Sequence, residues 1–218
     1  GNYDQIKKKF DNGGVLVAPA ASALANIDTD NLYFSCLKKS NIAILDSGFF
    51  CILLRLFKFK KVKKLSGFLF LKSFLDNYKN KDKILFIDPS KASNNTNKRY
   101  LKSKKIYNYK SYIAPKYKKN ILDPNLLILI KRYKPKYIIM NIGGGVQEPL
   151  AIYLRNKIKY KVCIMCTGAA IAFMTGEQAP INKLIDKIYL GWLMRILWKP
   201  NLYLGRIFKS FKIIKFFF

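Results

Sequence analysis

The chain has 218 residues, the length of one ordinary domain, and 50% of them are hydrophobic. Enough apolar surface is present to form a core, so the composition excludes an intrinsically disordered chain despite a formal net charge of +29. The absence of histidine excludes Ser-His-Asp and Cys-His catalysis and histidine-ligated metal sites.

The positive charge favours anionic partners but does not choose among them. The 41 Lys and Arg residues outnumber the 12 Asp and Glu residues and are spread over most of the chain. Such a charge suits nucleic acid, an acidic bilayer or phosphorylated small molecules. A basic nucleic-acid-binding α/β domain without catalytic activity therefore stays open as an alternative, although no binding arm or recognised nucleic-acid motif supports it.

Short apolar runs alternate with helical patterns along the chain. The runs predict strands buried on both faces over residues 14–18, 41–45, 83–87, 137–141 and 161–165. Helices are predicted over residues 21–39, 123–133 and 149–157, and residues 88–100 are predicted to be a polar loop. The alternation indicates an open, mostly parallel α/β sheet flanked by helices.

The sequence from Pro180 onward predicts a helical C-terminal section without a strand. It carries both tryptophans, Trp192 and Trp198, among scattered Lys and Arg, and ends in three phenylalanines. A basic, aromatic helix suits the surface of an anionic bilayer, and the alternative is a core-packing helix with a basic tail. We expect a core over residues 1–180 and a membrane-associating appendage over residues 181–218.

Neither a signal peptide nor a membrane span is evident. No uncharged stretch reaches the roughly 20 apolar residues that a spanning helix needs. Cys163 and Cys166 form one C-x-x-C pair inside an apolar run, and no second pair completes a zinc site. The sequence therefore predicts buried thiols in a reducing compartment.

Candidate ligand-binding residues follow the fourth run, because ligands bind at the carboxyl ends of strands in open α/β sheets. A glycine triplet there lets the backbone approach a ligand, and a following helix favours phosphate. Gln147 and Glu148 suit recognition of ribose hydroxyls or a base edge. The triplet matches neither the dinucleotide nor the P-loop motif, and a purely structural turn stays open.

Asp46 is the candidate general base. It is one of few acidic residues and follows the second apolar run, with Ser47 and Gly48 next. A carboxylate held between apolar walls and cations can have its proton affinity tuned for catalysis. The alternative is an N-cap for the following helix, and the residues alone leave both open.

Together these residues resemble the WecG/TagA/CpsF family of bacterial glycosyltransferases over about residues 15–208. The resemblance is carried in order by Asp46-Ser47-Gly48, by residues 143–148 and 168–176, by Ala179-Pro180, and by residues 190–195 with Pro200. Its most specific part runs from Gly168 to Pro200, and residues 64–71 also match a short family segment.

The resemblance implies a Rossmann-like fold of the GT-E type with a C-terminal appendage. It implies an inverting, metal-independent transfer of N-acetylmannosamine or its uronic acid from a UDP-sugar. The implied acceptor is a sugar linked to a polyprenyl diphosphate, in cell-surface polysaccharide or teichoic acid synthesis. The expected location is cytoplasmic, peripheral on the inner face of the membrane, with no cofactor.

The resemblance also assigns roles to residues. Asp46 becomes the base that deprotonates the acceptor hydroxyl, and Arg195 lies near the membrane and the diphosphate. The nucleotide-sugar side comprises Gly143, Gly144, Gly145, Gln147, Glu148, Gly168 and Ala169. The acceptor and membrane side comprises Ser47, Trp192, Arg195 and Trp198.

The chain departs from the family pattern at several positions. Ala18 and Ala20 stand where many members have Thr and Asn, and Ile171-Ala172 replaces Phe-Asp. Gln178 stands where an Arg is frequent, and Asp88-Pro89-Ser90 replaces a glycine pair. These departures bear on the donor and acceptor more than on the reaction class, because Asp46 and Gln147-Glu148 remain.

Overall fold

The computed structural model describes residues 2–59, 62, 64–117, 121–180, 185 and 188–218. Its strands are β1 (Gly14–Val17), β2 (Ile42–Ala43), β3 (Ile84–Asp88), β4 (Tyr109–Ile113), β5 (Tyr137–Met140) and β6 (Cys163–Cys166). They form one parallel sheet in the order β2-β1-β6-β5-β3-β4. Helices flank this sheet, so the predicted Rossmann-like α/β fold is confirmed.

The helices of the core begin with α1 (Tyr3–Phe10), α2 (Ala21–Leu24), α3 (Asn31–Lys39), α4 (Gly48–Lys58) and α5 (Gly67–Asp76). They continue with α6 (Lys91–Ser103), α7 (Pro124–Tyr133), α8 (Gln147–Lys157) and α9 (Ala170–Met174). The C-terminal section contains α10 (Gly191–Trp198), α11 (Pro200–Phe211) and a 3-10 helix (Lys212–Phe216).

The two faces of the sheet bury separate apolar layers, which explains the continuously apolar strand sequences. In β3, Ile84 and Phe86 pack toward α1, α5 and α6, whereas Leu85 and Ile87 pack toward α3, α7 and α8. Successive strand residues point to opposite faces, so a strand covered on both sides must be apolar at every position.

The predicted loop at residues 88–100 is wrong, because most of it belongs to α6. Ser90 caps this helix by accepting a hydrogen bond from the Ser93 backbone N–H. Polar residues of α6 can be buried because they have hydrogen-bond partners: the Asn94 and Asn97 side chains donate to the fully buried carboxylate of Asp88. The asparagines that indicated a loop therefore form a buried polar network.

Three further segments differ from the prediction, and helices α1, α5 and α9 were not predicted. The helix predicted over residues 21–39 is two helices, because Asp30 caps α3 by accepting from the Tyr33 backbone N–H. Only Ile42 and Ala43 of the predicted strand 41–45 pair with β1. Strand β4 was not predicted, since this edge strand has the sequence Tyr-Lys-Ser-Tyr-Ile and lacks a continuous apolar run.

The C-terminal section packs one side against the core. A third apolar cluster joins Ile213 and Phe217 to Phe49 and Leu53 of α4 and to Ala21 of α2. The predicted helical character of this section is confirmed over the residues described. The boundary predicted at residue 181 falls in residues 181–184, outside the described part, and the division into two domains stays a prediction.

Candidate active site

One cavity opens at the carboxyl edge of the sheet and collects most of the predicted site residues. It is lined by Asp46, Ser47, Gly143, Gly144, Gln147, Glu148, Gly168, Ala169, Trp192 and Arg195. Two predicted residues lie outside this lining: Gly145 and Trp198. Strand register explains the convergence, because Val17 and Met140 both pair with Cys166, so the segments after β1, β5 and β6 leave the sheet together.

Asp46 is anchored between two helix starts. Ser47, and not Asp46, is the N-cap of α4, accepting from the Phe50 backbone N–H, so the alternative assignment of Asp46 to that cap is wrong. Asp46 Oδ1 instead accepts a 2.7 Å hydrogen bond from the Gly67 backbone N–H, the first amide of α5. This bond fixes the carboxylate at the cavity wall.

Gly67 lets the segment of residues 64–71 approach the site, and Lys64, Ser66 and Phe68 of this segment line the cavity. A Cβ at this position would lie 3.1 Å from the Ala18 Cβ, 3.4 Å from Asp46 Oδ1 and 3.5 Å from Thr167 Cγ2. The start of α5 therefore touches the ends of three chain segments that line the cavity. Glycine lets the backbone approach this closely.

Gln147 and Glu148 form a rigid, buried pair on the other side of the cavity. Gln147 Oε1 accepts from the Gly168 backbone N–H at 2.9 Å, and Gln147 Nε2 donates to Glu148 Oε1 at 3.0 Å. The Gly145 backbone N–H donates to Glu148 Oε2 at 2.7 Å. Gly145 and Gly168 both have positive φ, +84° and +57°, a conformation that favours glycine.

The Glu148 carboxyl has an unusual electrostatic environment. Its side chain is 1% exposed, and burial raises its pKa, opposed by hydrogen bonds from backbone amides and from Gln147. The carboxylate accepts the two bonds described above and one from its own backbone N–H, so it retains capacity for one more. The group can therefore accept a hydrogen bond from a ligand hydroxyl.

The C-terminal section covers the cavity. Trp192, Arg195, Tyr203 and Arg206 line it, and the Arg195 guanidinium stacks over the Phe173 ring at 4.8 Å. The Tyr203 hydroxyl donates to Gln178 Oε1, which ties α11 to the core. These contacts give the section a packed, cavity-facing side.

The same section also exposes apolar and cationic side chains. Trp198 is partly exposed, with Lys199 Nζ 4.3 Å from its ring centre. Exposed apolar side chains cluster here: Ile188, Leu193, Leu197, Leu202, Leu204, Phe208, Phe211, Phe216 and Phe218. Its exposed cationic side chains outside the cavity lining include Lys199, Lys209, Lys212 and Lys215. In the part of the chain that the structure covers, no helix is long and apolar enough to cross a bilayer.

The cysteines take no part in the cavity. All four are buried and carry free thiols, so the predicted buried thiols are confirmed. Cys163 donates to the Phe10 carbonyl oxygen, and burial raises the pKa of Cys163 to about 11. Over the residues described, no three Cys, Asp or Glu side chains are grouped as metal ligands.

Several cavity residues were not assigned a role from the sequence. They are Tyr33, Lys64, Thr167, Phe173, Tyr189, Tyr203 and Arg206. Thr167 carried a signal, since it directly follows β6 at the carboxyl edge where ligands bind. Tyr33 carried none, because it lies within an amphipathic helix and reaches the cavity only through the packing of α3 on α8.

Comparison with curated proteins found no match. The sequence model of the "Glycosyl transferase WecG/TagA/CpsF family" matches residues 3–218, nearly the whole chain. The match spans the sheet, the cavity and the C-terminal section alike. The chain therefore belongs to the WecG/TagA/CpsF family of glycosyltransferases and is a transferase enzyme.

Proposed function

We propose that this enzyme inverts the anomeric centre while moving a hexosamine-type sugar from a UDP-sugar to an acceptor linked to a polyprenyl diphosphate. N-acetylmannosamine or its uronic acid is the donor sugar we favour, in polysaccharide or teichoic acid synthesis. The observation that carries the proposal is the shared cavity, in which Asp46 lies with the buried Gln147-Glu148 pair under a cationic cover.

In the proposed reaction Asp46 is the general base. Its carboxylate takes the proton of the acceptor hydroxyl while that oxygen forms a bond to the anomeric carbon. The bond from the anomeric carbon to the UDP oxygen breaks, and UDP leaves with the electron pair from the opposite face, so the configuration inverts. The hydrogen bond from the Gly67 N–H holds Asp46 Oδ1, which supports a fixed geometry for this proton transfer.

Stabilisation of the leaving diphosphate is assigned to side chains and backbone amides of the cavity. Lys64, Arg195 and Arg206 line it and supply positive charge. The turn at Gly143 and Gly144 lines the cavity, and its backbone can approach the diphosphate closely because glycine has no side chain. We propose that this set suffices without a metal ion.

The acceptor is expected to enter from a membrane. Support comes from the C-terminal section, which exposes leucines, phenylalanines and lysines. Such a surface suits the interface of an anionic bilayer, where apolar side chains insert and lysines meet headgroups. We therefore propose peripheral attachment at the inner face of the cytoplasmic membrane, with Ser47, Trp192, Arg195 and Trp198 on the acceptor side.

The reaction is tested by UDP release over a panel of UDP-hexosamines and their uronic acids. Each donor is assayed with and without a short-chain polyprenyl-diphosphate-linked sugar, in EDTA and in Mg²⁺. We expect one donor to give acceptor-dependent release in EDTA, with a product of inverted anomeric configuration. Retained configuration, or no release with any donor from folded protein, would contradict the proposal; activity only in Mg²⁺ would contradict metal independence.

Membrane attachment is tested by sedimentation with anionic and neutral liposomes. Deleting α11 would uncover Phe49 and its neighbours, so point variants are preferable to truncation. The Leu197→Glu, Phe208→Glu double variant changes side chains that are 69% and 71% exposed, and it should lose binding to anionic liposomes. The matched control is Leu122→Glu, Ile128→Glu, which alters two exposed residues outside the section. Equal sedimentation of both variants would overturn the membrane assignment.

A further inference from the structure

Tyr33 is a buried tyrosine whose hydroxyl has no hydrogen-bond partner within the described residues. It lies on α3, its side chain is 2% exposed, and it lines the cavity that holds Asp46 and Glu148. A buried hydroxyl without a partner destabilises a fold, so its retention at a cavity wall indicates a partner that arrives with a ligand.

Glu148 is the charged group that acts most strongly on the Tyr33 phenol. Burial raises the pKa of Tyr33, and the negative charge of Glu148 raises it further. The hydroxyl therefore stays protonated at neutral pH. No hydrogen bond joins Tyr33 to Glu148 among those the structure shows, although the two oxygens of Glu148 accept from Gly145 and Gln147. A donor and an acceptor therefore face the same cavity without satisfying each other.

The segment that follows β1 supplies few polar side chains to the cavity. Ala18, Ala20, Ala21 and Ala23 line the cavity in the segment that follows β1, and Ser22 is the one hydroxyl-bearing residue of that segment in the lining. The Tyr33 hydroxyl can supply the hydrogen bonding that these alanines cannot.

We propose that Tyr33 and Glu148 together bind one secondary hydroxyl of the nucleotide-sugar donor. The Tyr33 O–H donates to the oxygen of that hydroxyl, and the hydroxyl proton is donated to Glu148. A hydroxyl fits because it accepts and donates at the same oxygen. This inference rests on the proposed function and adds a donor-binding residue to it; both the ribose and the transferred sugar carry hydroxyls of this chemistry.

The test is Tyr33→Phe, which removes the hydroxyl and keeps the ring. Binding of UDP and of the active UDP-sugar is measured by calorimetry, and melting temperature is measured without ligand. We expect donor affinity to weaken roughly three- to tenfold, the loss of one hydrogen bond, while the ligand-free protein melts at the same or a higher temperature. A purely structural hydroxyl would leave both affinities unchanged.

Tyr3→Phe is the matched control. The Tyr3 hydroxyl is also buried without a partner in the described structure, but Tyr3 packs on Phe70, away from the cavity. Its removal should leave donor binding unchanged. Equal donor affinity in wild type and Tyr33→Phe would overturn the inference alone.

The two ligands separate the possible sources of the hydroxyl. Weaker binding of both UDP and UDP-sugar identifies a ribose hydroxyl, and weaker binding of UDP-sugar only identifies the transferred sugar; either result supports the inference. Failure of the wild-type protein to bind any UDP-sugar would overturn the proposed function, and the inference with it.

Discussion

Gly48 joins the candidate base to the C-terminal section, and its replacement by alanine tests that junction. A Cβ at Gly48 would overlap the Tyr189 carbonyl oxygen and lie 3.0 Å from both the carbonyl carbon and the Cα of Tyr189. These atoms are backbone, so no side chain can rotate away. Tyr189 is itself held in the left-handed region at φ 66° and bonded to Arg55, which further limits movement.

The size of the effect follows from this overlap. Inserting one methyl group into a packed contact costs about 1–3 kcal/mol of unfolding free energy. For a chain of this length each kcal/mol lowers Tm by roughly 2–4 °C. Relief of the overlap requires the Tyr189 backbone to move, which also displaces the start of α10, the helix that places Trp192 and Arg195 at the cavity. Misplacement of such groups by about 1 Å can reduce the reaction rate on the order of 100-fold.

Thermal unfolding and acceptor-dependent UDP release are the assays for Gly48→Ala. The control is Gly205→Ala on α11, where a Cβ meets nothing within 4 Å and helix propensity favours alanine by roughly 1 kcal/mol. We expect Gly48→Ala to lower both Tm and transfer, and Gly205→Ala to raise Tm slightly. Indistinguishable behaviour of the two variants would refute the proposed junction.

Two further predictions concern the core. Asp88→Asn should lower the unfolding free energy by at least about 3 kcal/mol in chemical denaturation, because three buried asparagine amides donate to that carboxylate; an effect below 1 kcal/mol would show that the network relaxes. Burial raises the pKa of Cys51 and Cys163 to about 11, so the native thiols should resist Ellman's reagent at pH 8 and react on unfolding. The free energy of unfolding should fall as pH rises above about 9, because the unfolded chain loses these thiol protons before the folded chain does. Rapid labelling of folded protein would contradict this.

The sequence was sufficient for the fold class and for the strands of the sheet centre. Strands buried on both faces need an apolar residue at every position, so their sequences are distinctive. Strand β4 escaped prediction because an edge strand can be polar on one side. Helix α6 was not predicted because its buried asparagines find their hydrogen-bond acceptor in Asp88, which only the tertiary fold brings close to them.

The candidate site was predictable where local sequence carries the chemistry. Asp46 lies in the segment that follows β2, Gln147-Glu148 begin the helix that follows β5, and the carboxyl edge brings such segments together. The hydrogen bond from Gly67 to Asp46 and the position of Tyr33 depend on how α5 and α3 pack on the sheet. No periodicity in those helices encodes these contacts, and only the family resemblance of residues 64–71 marked the start of α5.

The central claim is that Asp46 acts as the base in a single displacement, and Asp46→Asn tests it most directly. Asparagine keeps an Oδ1 that can accept from the Gly67 N–H, so the local structure should survive. We predict that kcat for acceptor-dependent UDP release falls at least about 100-fold while the Kd for the UDP-sugar stays within a few-fold of wild type. Transfer by the folded variant at a rate within a few-fold of wild type would contradict the account.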